Sequence, residues 1–348
     1  MQKKLRDFGI KIGHLDTGPL NKITDVTGVT VGHSTIKKGA VNTGVTAIHP
    51  RSGNVFENKV VGASYVMNGF GKTIGTIQIN ELGTIETPIL LTNTLSVGEC
   101  VAGLLAYMTE YNPSIGNITG TVNPVVCECN DMFINDIRTF AVKKEHVFQA
   151  LHSATADFIE GGIGAGTGMR CFGLKGGIGS SSRILTYPHG SYTLGALVLS
   201  NFGQLQNLLI NGNPAGERIA ARLNQFESGE DRGSIIVIIA TDLPVSSRQL
   251  RRMIKRASVG LIRTGSFIGN GSGDIFIGFS TANDIPHSAA REPLSIKAIH
   301  ESDMEQAFIG VAEATEEAIL NSLITAEPGV ARNGERVYSL QNFTRELY

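Results

Sequence analysis

Ser234-Ile-Ile-Val-Ile-Ile-Ala240 is the stretch that decides how this chain folds. Its five consecutive β-branched residues leave no polar position to face water, so it reads as a strand buried on both faces. What precedes it is of opposite character. The segment 211–233, NGNPAGERIAARLNQFESGEDRG, is polar, charged and glycine-bearing, an exposed connection enclosing a short helix. On the other side, Ser246 and Gln249 have capping-box spacing, and Leu250, Met253, Ile254, Ala257 and Leu261 give the next helix one apolar face. A second strand spans 275–279. A last helix opens on the pair Ser302 and Glu305, with a stripe of Met304, Phe308, Val311, Thr315, Ile319 and Leu323.

Upstream, short strands at 29–31, 44–48 and 60–66 are broken by turn signals, helices are expected at 96–108 and 145–158, and 192–200 is an almost wholly apolar strand. Strands and helices alternate, so the class is mixed α/β or α+β with helices packed on sheet faces. Glycine is abundant at 42 of 348 residues, which favours tight turns over long helical bundles. Lys+Arg is 30 and Asp+Glu 31; nothing in that balance supplies the clustered positive charge that nucleic acid or acidic lipid requires. The first residues lack the apolar core of a secretory signal, and no apolar run is long enough to span a bilayer. A soluble cytoplasmic protein without membrane contact is expected. Cys100, Cys127, Cys129 and Cys171 are too sparse for a disulfide scaffold, and the pair at 127 and 129 reads as alternating strand residues rather than a metal site.

Several familiar motifs fail on a count. Gly71-Lys72-Thr73 ends like a phosphate loop, but Val66 stands where the first glycine is required. In Gly161-Gly-Ile-Gly-Ala-Gly-Thr-Gly168 no register supplies the dinucleotide fingerprint, so the run reads as tight turns. Ser272 has Asn270 two residues before it, which rules out a nucleophile elbow. His14, His33, His49 and His287 lack metal-ligand spacing, and neither metal nor cofactor is expected.

The junction Asp231-Arg232-Gly233-Ser234 carries a different chemistry. Were the bond before Ser234 cut, that residue would hold a hydroxyl and a free α-amine at the mouth of a rigid strand. An α-amine with a pKa of about 7.7–8.0 is partly neutral near pH 7 to 8 and can serve as the base that a weakly nucleophilic hydroxyl needs. Glycine at 233 leaves the carbonyl open to attack. A Gly-Ser pair alone is also an ordinary entry from loop into strand.

Five long stretches give the junction its context: TGPLNKITDVTGVTVGH (17–33), TPILLTNTLSVG (87–98), GGIGAGTGMRCFGLKGGIGSSSR (161–183), GSIIVIIATDLP (233–244) and RTGSFIGNGSGDIFIGFSTAN (263–283). With them, the chain resembles the L-aminopeptidase/D-amidase-esterases and β-peptidyl aminopeptidases, self-cleaving N-terminal-serine hydrolases, over most of its length. The resemblance implies a four-layer αββα sandwich of the N-terminal-nucleophile type. It implies Ser234 as autocleavage serine and nucleophile, with Gly233 ending the upstream fragment. Ser272 matches a second serine that bonds the nucleophile and relays its proton, and Asp274 an acidic position orienting it. Asn201 matches an oxyanion donor, and Glu128 a carboxylate that grips a substrate ammonium. The chain departs from the family at Asn130, where an aromatic residue is usual, and at Cys127 and Cys129; these positions shape the substrate pocket.

The expectation is one domain over 1–348, cut into fragments 1–233 and 234–348 that stay associated, commonly as a homo-tetramer of cleaved heterodimers. Its substrates would be small peptides, amino-acid amides or esters. An acyltransferase on the same scaffold, and a non-catalytic binding protein with an uncut junction, are the competing readings.

Overall fold

The computed structural model describes residues 2–226, 233–289 and 291–348; of the junction, Asp231 and Arg232 lie outside the described residues. In chain order the principal strands are β1 (Thr30–Lys38), β2 (Val41–His49), β3 (Asn58–Gly69), β4 (Thr84–Ile85), β5 (Ile89–Asn93), β6 (Val125–Cys129), β7 (Gly177–Tyr187), β8 (Gly190–Asn201), β9 (Ser234–Thr241) and β10 (Gly273–Pro286). They form a sheet of order β1-β2-β5-β6 and a larger one of order β4-β3-β10-β9-β8-β7. In the larger sheet β9 and β10 are parallel; their crossover contains the helices Ser247–Ile254 and Ala257–Arg263.

The decisive run is β9, buried along its whole length. Its side chains divide by parity, because successive Cβ atoms of a strand point to opposite faces. Ile235, Val237 and Ile239 enter one apolar cluster, and Ile236, Ile238 and Ala240 another. The second cluster also holds Val31, Ile48, Leu91, Cys127 and Cys129 from the smaller sheet, so the two sheets are stacked face to face. The outer face of the smaller sheet (Val45, Ala47, Leu90, Val126) packs on α1 (Val97–Tyr111) and α2 (Lys144–His152). The outer face of the larger sheet packs on α3 (Ser247–Ile254) and α5 (Met304–Ile324), with α4 (Ala257–Arg263) against α5. Three apolar interfaces between four layers make the expected αββα sandwich.

Three local expectations are corrected. The helix expected through residue 158 stops at His152, because Thr155 forms a two-way backbone bridge to Val31 at 3.0 Å and draws Phe158 into the core between the sheets. The face running from Leu250 to Leu261 is shared by two helices: the Ser246 and Gln249 box caps α3 as expected, but the chain turns at Lys255 and Arg256 before α4. There Gly260 permits close helix packing, since a Cβ would lie 2.5 Å from the Ala312 carbonyl oxygen. The Ser302 and Glu305 box does not form; α5 starts at Met304 after a turn whose amide at Ser302 is capped by His300.

From Gly310 to Ile324, α5 is buried on every side, wider than a single stripe. Buried Glu313 and Glu317 are accommodated by the fully buried Arg183 of β7, at 2.9 and 2.8 Å, and by Arg6, 2.8 Å from Glu317. Arg183→Met leaves these carboxylates short of a partner and is expected to cost about 3–5 kcal/mol in urea unfolding. The cluster also responds to pH. Burial alone would raise the Glu317 carboxyl, but bonds from Arg6 and the charges of Arg183 and Arg6 hold it below its ordinary 4.5. A carboxyl depressed by folding stabilises above its unfolded value and loses that contribution as pH falls through its folded one. Urea midpoints are therefore expected to fall below about pH 4, and less steeply in Arg183→Met.

Candidate active site

One end of the larger sheet gathers residues far apart in sequence. Register places Asn201, Ser234, Gly273 and Gly69 in one row across β8, β9, β10 and β3. The parallel pairing of β9 and β10 brings both strand starts to this end, and antiparallel β8 finishes there.

Ser234, 6% exposed, directs its hydroxyl to the Gly233 carbonyl oxygen at 2.8 Å and accepts a hydrogen bond from the Gly273 N–H at 3.2 Å. Gly233 has no room for a side chain: a Cβ would come 2.3 Å from Phe202 Cα and 2.4 Å from the Asn201 carbonyl oxygen. The buried Ser272 donates to Asp274 Oδ1 at 2.9 Å. The two serine hydroxyls are not bonded to each other; the link between their residues is the Ser272–Gly273 peptide, whose N–H reaches Ser234.

Asn201 is held at both ends of its amide. Its Oδ1 accepts from the Arg170 N–H and its Nδ2 donates to the Asn130 carbonyl, each at 2.9 Å. The side chain of Asn130 turns back to accept from the Met132 N–H at 3.1 Å. Glu128, on β6, is almost wholly buried; it accepts from the Lys72 N–H at 3.0 Å and from the Thr94 hydroxyl. Lys72 belongs to a strap that also passes Gly273, the ladder partner of Ser234, since a Cβ on Gly273 would lie 2.7 Å from the Phe70 carbonyl oxygen and 3.1 Å from Gly71 Cα. The strap therefore ties the carboxylate to the serine row. It is the same Gly71-Lys72-Thr73 that fails as a phosphate loop. Thr94 lies inside one of the motif stretches, whereas Asn68, whose amide grips the loop before Ser272, carries no sequence signal.

The glycine-rich run makes turns, as expected, and its Gly166 carbonyl converges with those of Met169 and Gly176 on one ammonium group. The fully buried Lys175 donates to the carbonyls of Gly166, Met169 and Gly176 at 2.9, 3.0 and 2.7 Å. Burial pushes its ammonium down to about 7. Beside Glu128, burial raises the Cys127 thiol to about 12 and takes Cys129 well above its ordinary range, with the charges of Glu128 and Asp274 adding to the second. The thiols are thus inert packing groups. A thiol-reactive disulfide reagent is expected to find no reactive cysteine in native buffer and all four after denaturation; native modification of Cys129 would mean that solvent reaches the core beneath Glu128.

Among the described residues no helix is long and apolar enough to cross a membrane. Residues 21–337 match the family described as peptidase family S58. The chain is 36% identical over 359 residues to the β-peptidyl aminopeptidase BapA of Sphingosinicella microcystinivorans, covering 97% of this chain and 89% of that protein. It is similar to the crystal structure of the PH0078 protein from Pyrococcus horikoshii OT3, with a TM-score of 0.93 and 51% identity over 99% of this chain and 98% of that one. It is also similar to the L-aminopeptidase D-Ala-esterase/amidase of Ochrobactrum anthropi, with a TM-score of 0.90 and 34% identity over the same shares. That enzyme is described as a prototype for the serine aminopeptidases and a new variant of the N-terminal-nucleophile hydrolase fold.

Proposed function

Because this chain belongs to peptidase family S58, we propose that it is a self-processing aminopeptidase whose nucleophile is the Ser234 hydroxyl. The observation that carries the reading is the position of that hydroxyl, 2.8 Å from the oxygen of the carbonyl group preceding it and braced by the Gly273 N–H. In processing, Ser234 Oγ adds to the Gly233 carbonyl carbon and its proton passes to the departing nitrogen. The C–N bond breaks, leaving an ester to Oγ and a free α-amine on the same residue. Water then hydrolyses the ester, giving a carboxylate on Gly233 and restoring the hydroxyl. The products are chains 1–233 and 234–348. They remain together because β9 is buried between two layers of the sandwich.

In turnover the same oxygen attacks an amide or ester carbonyl and the new α-amine takes its proton. The amine passes that proton to the departing amine or alcohol as the C–N or C–O bond breaks. Water then hydrolyses the acyl ester, releasing the acid and restoring the hydroxyl. In the uncut chain Ser272 is engaged by Asp274 and not by Ser234, so its part in the proton path begins once cleavage has freed the α-amine. Asn201, with one Nδ2 hydrogen engaged by Asn130, has a second for the oxyanion, a contact worth about 3 kcal/mol in comparable sites. Glu128 faces the substrate ammonium, which selects amino-terminal residues of small peptides, amino-acid amides and esters. The strap through Gly71 sets the spacing between ammonium and scissile carbonyl.

Ser234→Ala is expected to give a folded, uncut and inactive protein that runs as one band in denaturing electrophoresis. Normal processing of that variant would place the cut elsewhere. Glu128→Gln keeps the shape and removes the charge. It is expected to raise KM for free-amine substrates about 10–100-fold, as loss of a buried ion pair does, and to leave self-cleavage intact. Equal KM values for the two proteins would remove the ammonium role.

A further inference from the structure

The contact that steadies the nucleophile comes from a backbone peptide, and that peptide is itself gripped from behind. The carbonyl of the Ser272–Gly273 peptide accepts from Asn68 Nδ2 at 2.5 Å and from the Phe70 N–H at 3.3 Å, while its N–H donates to Ser234 Oγ at 3.2 Å. A peptide whose oxygen accepts strongly is polarised, and its N–H becomes a better donor. The Asn68 amide also reaches the carbonyls of Gly269 and Asn270 at 3.1 and 3.2 Å. One side chain thus spans three carbonyls of the turn that presents Ser272. Register fixes its place: Asn68 of β3 stands opposite Asp274 of β10, beside a break in the ladder between Asp274 and Ile275.

We infer that Asn68 is a positioning residue for the reaction, acting through the Ser272–Gly273 peptide to orient and strengthen the N–H that holds the Ser234 oxygen. The inference rests on Ser234 being the nucleophile. No bond to Asn68 forms or breaks; the side chain fixes a dipole. As the proton leaves Oγ, negative charge builds on that atom before it passes to the carbonyl oxygen. A polarised N–H aimed at Oγ gains strength in that deprotonation, so the effect belongs to kcat and to self-cleavage rather than to substrate binding.

The test uses the full chain. Asn68→Ala removes the donors. Asn68→Asp keeps the shape, but its carboxylate accepts only and is repelled by three carbonyls, whereas its protonated form regains one donor. Folding of each variant is verified by circular dichroism. Self-cleavage is followed by electrophoresis, and kcat and KM are measured on an amino-acid amide. The expected result is about a tenfold loss in self-cleavage and kcat for Asn68→Ala, smaller than deletion of a direct oxyanion donor, with KM little changed. For Asn68→Asp, the ratio of kcat to wild type is expected to climb as pH falls from about 8 to about 5.

If Asn68→Ala does not fold, the pH course of Asn68→Asp decides alone. Wild-type rates in both variants overturn the inference. So does a loss in Asn68→Asp that is the same at every pH, which marks a structural role only. A wild-type protein that never starts a chain at Ser234 removes the nucleophile assignment itself, an outcome distinct from the other two.

Discussion

The structure depends on the parallel pairing of β9 with β10. Strands that run the same way start at the same end of a sheet, so residues 234 and 273, 39 apart in sequence, become neighbours in one ladder. Antiparallel β8 then delivers Asn201 to the same end, and β3 delivers Asn68 and the strap at 70–72. No single segment contains a site. A junction, a loop, a strand end and a strap converge because one crossover through α3 and α4 returns the chain beside β9.

The constraint holds because β9 cannot slip. A shift of one residue would exchange the helix-facing set Ile235, Val237 and Ile239 with the sheet-facing set Ile236, Ile238 and Ala240, and both interfaces are packed. The glycines around Ser234 tighten the geometry. Gly233 lies against Phe202 and Gly273 against the strap, each too close for a Cβ. A side chain at the first residue of such a strand is fixed by the core behind it.

Much of this was legible in the residues. The β-branched run announced a doubly buried strand, and the Ser246 and Gln249 box announced the start of α3. Parity could not say how many layers cover the strand, so the αββα order came from resemblance and is visible in the three separate apolar clusters. Helix ends misled where a long-range contact outweighed local pattern: Thr155 leaves the helical register for Val31, and His300 displaces the Ser302 box. Buried Glu313 and Glu317 broke the single stripe expected of α5 because their partner, Arg183, sits on a strand 130 residues away from Glu313. At the site, Ser234, Ser272, Asp274 and Asn201 do gather at one sheet end, whereas Asn68 was illegible, its partners being backbone carbonyls that no side-chain pattern encodes.

The central claim is that one residue supplies both hydroxyl and amine, and intact-mass spectrometry of the purified wild-type protein tests it most directly. The account predicts two polypeptides, one ending in Gly233 and one beginning Ser-Ile-Ile-Val, whose masses together exceed that of the uncut chain by one water. A single uncut mass in material that hydrolyses amino-acid amides would contradict it.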